Sequence, residues 1–86
     1  MKSYVYILEC NNGPYYIGST KNLERRLKEH NDGKSFYTKT RRPLKLKYTE
    51  EFDNYELAFK REKQLKSWKK RVALERLFNT NNGPIV

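Results

Sequence analysis

"YVYILECNNGPYYIGST", residues 4–20, decides how this chain folds. Its first seven residues are mostly β-branched and aromatic, which is strand chemistry. NNGP at 11–14 supplies turn residues, and YYIGST at 15–20 returns to strand composition. The expectation is a β-hairpin. Period two then places Tyr4, Tyr6 and Leu8 on one face of the first strand, with Val5 and Ile7 on the other. On the second strand Tyr16 and Gly18 share a face, and Tyr15 joins Ile17. Tyrosines in a small sheet ordinarily pack with one wet end. Gly18 either eases the strand end or lets another backbone or a phosphate come close.

Downstream, Asn22 is positioned to cap a helix running to about residue 30 or 31, with Gly33 as its stop. FYTKTRRP, residues 36–43, is basic, aromatic and closed by a proline, hence a loop. LKLKYTEEF, residues 44–52, alternates and reads as a third strand with Leu44, Leu46 and Tyr48 on one face. Asn54 caps a second helix over 55–67, with Leu57, Ala58, Arg61, Leu65 and Trp68 near one stripe. A third helix is expected over 70–78. The elements follow the order β-β-α-β-α-α, an α+β chain. At 86 residues it forms one domain, over 1–79, with a flexible tail at 80–86.

A formal charge of +9 and seven tyrosines point to a polyanionic partner, nucleic acid first. The single cysteine, Cys10, rules out a disulfide framework and a zinc cluster and fits a reducing compartment. Tyr4–Leu8 is too short an apolar run for a membrane span, so no membrane association and a cytoplasmic location are expected.

A helical wheel sorts the basic helix. With Leu23 at zero, Leu27 falls at roughly 40°, His30 at roughly 340° and Arg26 at roughly 300°. Arg25 falls at roughly 200°, toward water. Arg26 and His30 therefore flank the apolar stripe, where a polar group needs a partner or a task. For His30 the plain alternative is a satisfied histidine near a helix C-terminus. Glu62, set among Lys60, Arg61 and Lys63, is either one half of a helical ion pair with Lys66 or a lone carboxylate for a hard divalent cation.

YVY (4–6) followed by YIG (16–18), NLERRLKEH (22–30), FYTKTRRPLKL (36–46) and AFKREKQLKSW (58–68) together resemble the GIY-YIG nuclease superfamily, in its small single-domain bacterial form. Tyr4 stands where the first motif carries glycine. The resemblance implies a three-stranded antiparallel sheet flanked by helices. It also implies catalytic roles for Tyr6, Tyr16, Arg26 and His30, a metal-binding role for Glu62, and an asparagine after the last helix, for which Asn79 is the nearest candidate.

The implied reaction is metal-dependent hydrolysis of a DNA phosphodiester by in-line attack of water, with one Mg²⁺ or Mn²⁺. Arg26 would offer its donor fork to phosphate oxygens. Tyr6 is the first choice of general base, with His30 as the alternative. Arg26 and the metal are expected to lower the tyrosine pKa. DNA binding is expected to rest on Lys39, Arg41 and Arg42 around Tyr37 and Thr38, with Gly18 allowing close approach and little sequence specificity. Phe36 or Tyr37 stacking on an unpaired base hints at single-stranded or branched DNA. The alternatives are a non-catalytic nucleic-acid-binding module and a nuclease subunit that needs a partner protein.

Overall fold

The computed structural model describes residues 2–80. Three strands, β1 (Ser3–Glu9), β2 (Tyr15–Thr20) and β3 (Lys45–Phe52), form one antiparallel sheet in the order β2-β1-β3. The helices are α1 (Leu23–Asn31), α2 (Tyr55–Ser67) and α3 (Arg71–Thr80). This is the expected element order, with α3 running further than expected, so that Asn79 is an exposed helical residue. The remainder of the expected tail, 81–86, lies outside the described residues, as do Asn81 and Asn82. No helix among the described residues is long and apolar enough to cross a membrane.

Local chemistry explains the boundaries. The Asn22 side chain accepts from the Arg25 backbone N–H at 3.0 Å, and Asn54 accepts from that of Leu57 at 3.0 Å. Each satisfies one of the orphan donors at a helix start. Beyond α1, Gly33 takes φ +79° and the Lys34 N–H reaches back to the Glu29 carbonyl at 2.9 Å. That left-handed step is the reason for a glycine there.

The central strand β1 sorts its side chains between two layers. Val5 and Ile7 face α2 and α3, forming the apolar core with Ile17, Tyr48, Ala58, Leu65 and Leu74. Tyr6 and Leu8 face the α1 side, and both are buried.

One strand-face expectation fails. Leu46 pairs with Leu8 and Tyr48 with Ile7, because a bulge interrupts β3 opposite the Ile7–Leu8 step. The extra residue reverses the alternation, so Leu46 and Tyr48 point to opposite faces. Leu46 joins Leu44, Leu8 and Leu27 around a small cavity on the α1 side, while Tyr48 enters the core. Leu44 itself precedes the strand. On α2, Leu57 sits at the edge of the stripe and is exposed, whereas Arg61 is held inward by a bidentate bond to Glu50, at 2.9 and 3.0 Å.

Candidate active site

The α1 side of the sheet is polar at its centre. Register sets Tyr6 opposite Gly18, and the tyrosine ring lies over that glycine. A Cβ on Gly18 would stand 2.4 Å from the Tyr6 hydroxyl oxygen. Gly18 therefore makes room for Tyr6, and it is buried. The expectation that it admits a phosphate gives way to this contact between neighbouring strands.

Around the Tyr6 hydroxyl the polar groups converge. Arg26 Nε donates to it at 3.3 Å, and His30 Nε2 stands 2.9 Å away. The other ring nitrogen, Nδ1, lies 2.7 Å from Thr38 Oγ1. Tyr16 closes the group, its ring centroid 5.1 Å from that of His30 and 6.3 Å from that of Tyr6. Arg26 also donates to Glu29 at 3.1 Å. Thus Tyr6, Tyr16, Arg26 and His30 come together, as the wheel and the strand period imply.

His30 and Thr38 are fully buried. Thr38 is therefore no nucleic-acid contact. Its hydroxyl instead ties the 34–44 loop to the histidine ring, a partner that local periodicity could not show. Burial, with the Arg26 charge beside it, lowers the His30 pKa to about 4, so the imidazole is neutral near pH 7. Burial also pushes Tyr6 up to about 12, although its hydrogen bond from Arg26 acts the other way. In the protein alone, desolvation outweighs one guanidinium, so Arg26 by itself does not lower the tyrosine pKa. For Arg26, burial opposes the charge but is overcome by the bonds to Tyr6 and Glu29, and its pKa rises.

Glu62 approaches from the other side of the sheet. Ser19 faces the core layer because it pairs with Val5, and its hydroxyl donates to Glu62 Oε1. Lys66 Nζ pairs with Oε2 at 2.6 Å. The Glu62–Lys66 pair of the plain reading is therefore present, but Ser19 is a partner the sequence reading missed. The available signal was a polar residue out of phase with Tyr16 and Gly18 on an otherwise apolar face. Tyr16 of the first cluster and Ser19 of the second both stand on the edge strand β2, which links the two. Among the described residues no cluster of three or more His, Cys, Asp or Glu side chains forms a metal cage.

The two loop arginines are largely committed. Arg41 donates to the Tyr37 carbonyl at 2.5 Å and lies 4.1 Å over the Tyr37 ring. Arg42 donates to the Lys39 and Asn31 carbonyls at 3.0 and 3.1 Å. They brace the loop, whose exposed cations include Lys39, beside Phe36, which is 85% exposed. Asn79, on α3, belongs to neither polar cluster.

A family model, the GIY-YIG catalytic domain, matches residues 2–77. A UPF0213 protein of Syntrophus aciditrophicus is 47% identical over 76 residues, covering 86% of this chain and 87% of the relative. A UPF0213 protein of Streptococcus pneumoniae is 46% identical over 81 residues, covering 93% and 81%. The solution NMR structure of a UPF0213 protein from Bacillus halodurans is 40% identical, covers 99% of this chain and 90% of that one, and superposes with a TM-score of 0.62.

Proposed function

This chain belongs to the GIY-YIG catalytic-domain family, and on that premise we propose that it is a metal-dependent endonuclease acting on DNA with little sequence preference. The observation that carries this reading is the convergence of Arg26, Tyr6 and His30 on one hydroxyl, beside a carboxylate at the same sheet edge.

Arg26 bonds Tyr6 and Glu29 and also engages Tyr16, and its remaining guanidinium hydrogens suit phosphate oxygens. The Tyr6 oxygen accepts from Arg26, so its own proton is best placed on His30 Nε2, leaving the Nδ1 hydrogen to Thr38. That path can carry a proton from Tyr6 to the imidazole. In the protein alone Tyr6 holds its proton, since about 12 and about 4 lie far apart. Tyr6 becomes a base only when positive charge is brought beside it.

Glu62 fits a hard divalent ion: one carboxylate, balanced by an exposed lysine ammonium that can swing away, beside the Ser19 hydroxyl. Bound there, Mg²⁺ or Mn²⁺ would supply Lewis acidity toward the leaving oxygen. Incubation with single-stranded, duplex and branched DNA, in Mg²⁺, Mn²⁺ or EDTA, tests the reading. Cleavage is expected only with a cation. Glu62→Ala should abolish it while leaving DNA binding intact or slightly tighter; wild-type cleavage by that variant sinks the metal assignment.

A further inference from the structure

A cleft of about 530 Å³ opens beside the polar centre, between β2, the 34–44 loop and the corner joining α2 to α3. Its volume is that of an ordinary small-ligand site. Its apolar lining includes Leu65 and Leu74, and Tyr15, Tyr16 and Tyr37 stand beside them. The Arg71 guanidinium lies 4.3 Å over the Tyr15 ring and that of Arg41 4.1 Å over the Tyr37 ring. Lys66, Lys69, Lys70 and Arg71 form the rim, and no carboxylate residue lines it. Arg71 is occupied, bonding the Gly13 carbonyl at 2.7 Å and Glu75 at 3.0 Å. Lys69 and Lys70 have no ion pair among the described residues.

Two features at this corner run against stability. Lys69 takes φ +59°, a conformation that favours glycine. The first turn of α3 holds no acidic residue, and Lys69, Lys70 and Arg71 crowd a helix start, the positive end of the dipole. The left-handed step itself ends α2, directly after its C-cap Trp68, but a lysine there and two further cations at the start of α3 suit a polyanion. Aromatic residues beside Lys69 and Lys70, two lysines unpaired among the described residues, match one chemistry, a base with its phosphate.

We infer that this cleft takes an unpaired base of the substrate strand, next to the scissile phosphate, stacked on Tyr37 in place of the Arg41 guanidinium, with its phosphate on Lys69 and Lys70. Tyr16 belongs to both the cleft and the polar centre, which fixes the bound base beside the bond to be cut. The inference rests on the nuclease reading for its substrate and gives that reading a reason to prefer single strands.

Binding of a short single-stranded oligonucleotide in EDTA, with an abasic site walked along it, tests the cleft without any cleavage. One position, adjacent to the cut found with cation, should weaken binding at least fivefold. Tyr37→Ala should weaken the intact strand by a similar factor and lose sensitivity to that abasic position, while Tyr37→Trp keeps both. The double variant Lys69→Gly, Lys70→Ser should flatten the salt dependence by about one to two units of slope and retain the abasic effect. A flat abasic walk, with Tyr37→Ala binding like wild type in a protein that still cuts, overturns the cleft and spares the nuclease. An abasic signature without cleavage in either cation does the reverse.

Discussion

The two faces of one sheet do opposite jobs, and β1 supplies both. Toward α2 and α3, Val5 and Ile7 meet Ile17, Leu65 and Leu74, an almost wholly apolar contact that needs only volume and shape. Toward α1, Tyr6 is just as buried, yet its hydroxyl meets a guanidinium and an imidazole. Buried polar groups cost stability unless every one is partnered, and a fully partnered set fixes geometry. One face thus carries the stability of a small domain, and the other spends part of it on a defined constellation. Mutations on the two faces should therefore fail differently.

The largest separation is expected within α1. Arg25 and Arg26 are neighbours, both reach Glu29, and their side chains are 76% and 32% exposed. Arg26→Ala should lose about 10²–10³ in cleavage rate, roughly 2.7–4 kcal/mol, with the fold retained. Arg25→Ala should stay within a few-fold. Equal single-turnover rates for the two, at saturating protein and with matching melting curves, would falsify the site.

Ile7→Ala attacks the other face. Loss of this buried side chain should cost about 2–5 kcal/mol of unfolding free energy, read by urea titration. Cleavage per folded molecule should hardly change. A variant that stays stable yet loses its rate would place function in the apolar layer and erase the distinction.

Acid separates the faces without mutation. His30 is neutral in the fold, with a pKa near 4 against an ordinary 6.5. Between those values the unfolded chain binds the extra proton. The contribution of His30 is therefore complete above pH 6.5 and is lost as pH falls toward 4, on the order of 3 kcal/mol. His30→Gln should flatten the stability profile over pH 6.5–5, above the range in which carboxylates titrate. An unchanged slope there means the imidazole is not held neutral.

The sequence makes much of this division legible, and the failures have a common cause. Strand period, asparagine caps and the helical wheel are local rules. They place Val5 opposite Tyr6, begin α1 and α2 correctly, and turn Arg26 inward. The bulge that parts Leu46 from Tyr48 depends on pairing with a distant strand, and alternation alone cannot reveal it. Thr38 and Ser19 are invisible as partners of His30 and Glu62 for the same reason. The direction of the Tyr6 shift needed a measure of burial, since nearby charge by itself argues for the wrong sign.

Which group receives the proton from water can be read from rate against pH. If Tyr6 is the base, its raised pKa means that log rate should climb by about one per pH unit above neutrality, about 1.4 kcal/mol per unit, until the cation-bound tyrosine is ionised. If His30 acts alone, the rate should level off above about pH 5. A plateau through pH 7–9 with chemistry rate-limiting removes Tyr6 from that role and returns the face to a single histidine.

The smallest expected effect tests whether the loop behind the histidine is part of the functional face or only its cover. Thr38→Val keeps the volume of a fully buried side chain and removes the hydroxyl 2.7 Å from His30 Nδ1. Either the Nδ1 hydrogen is then left unpartnered, at about 1–3 kcal/mol, or the ring moves its hydrogen to Nε2. The second outcome exchanges an unpartnered donor for an unpartnered Nδ1 lone pair, and it has a consequence at Tyr6. With hydrogen on Nε2, the histidine donates to the tyrosine and can no longer accept from it. Stability should therefore fall by about 1–3 kcal/mol, while cleavage falls several-fold with substrate binding unchanged. Thr38→Ser, which retains the hydroxyl, should restore the rate even where it loses a little packing. A ring-nitrogen NMR spectrum distinguishes the two tautomers directly. If Thr38→Val moves the hydrogen to Nε2 and the rate stays at the wild-type value, the Tyr6 proton does not travel through His30.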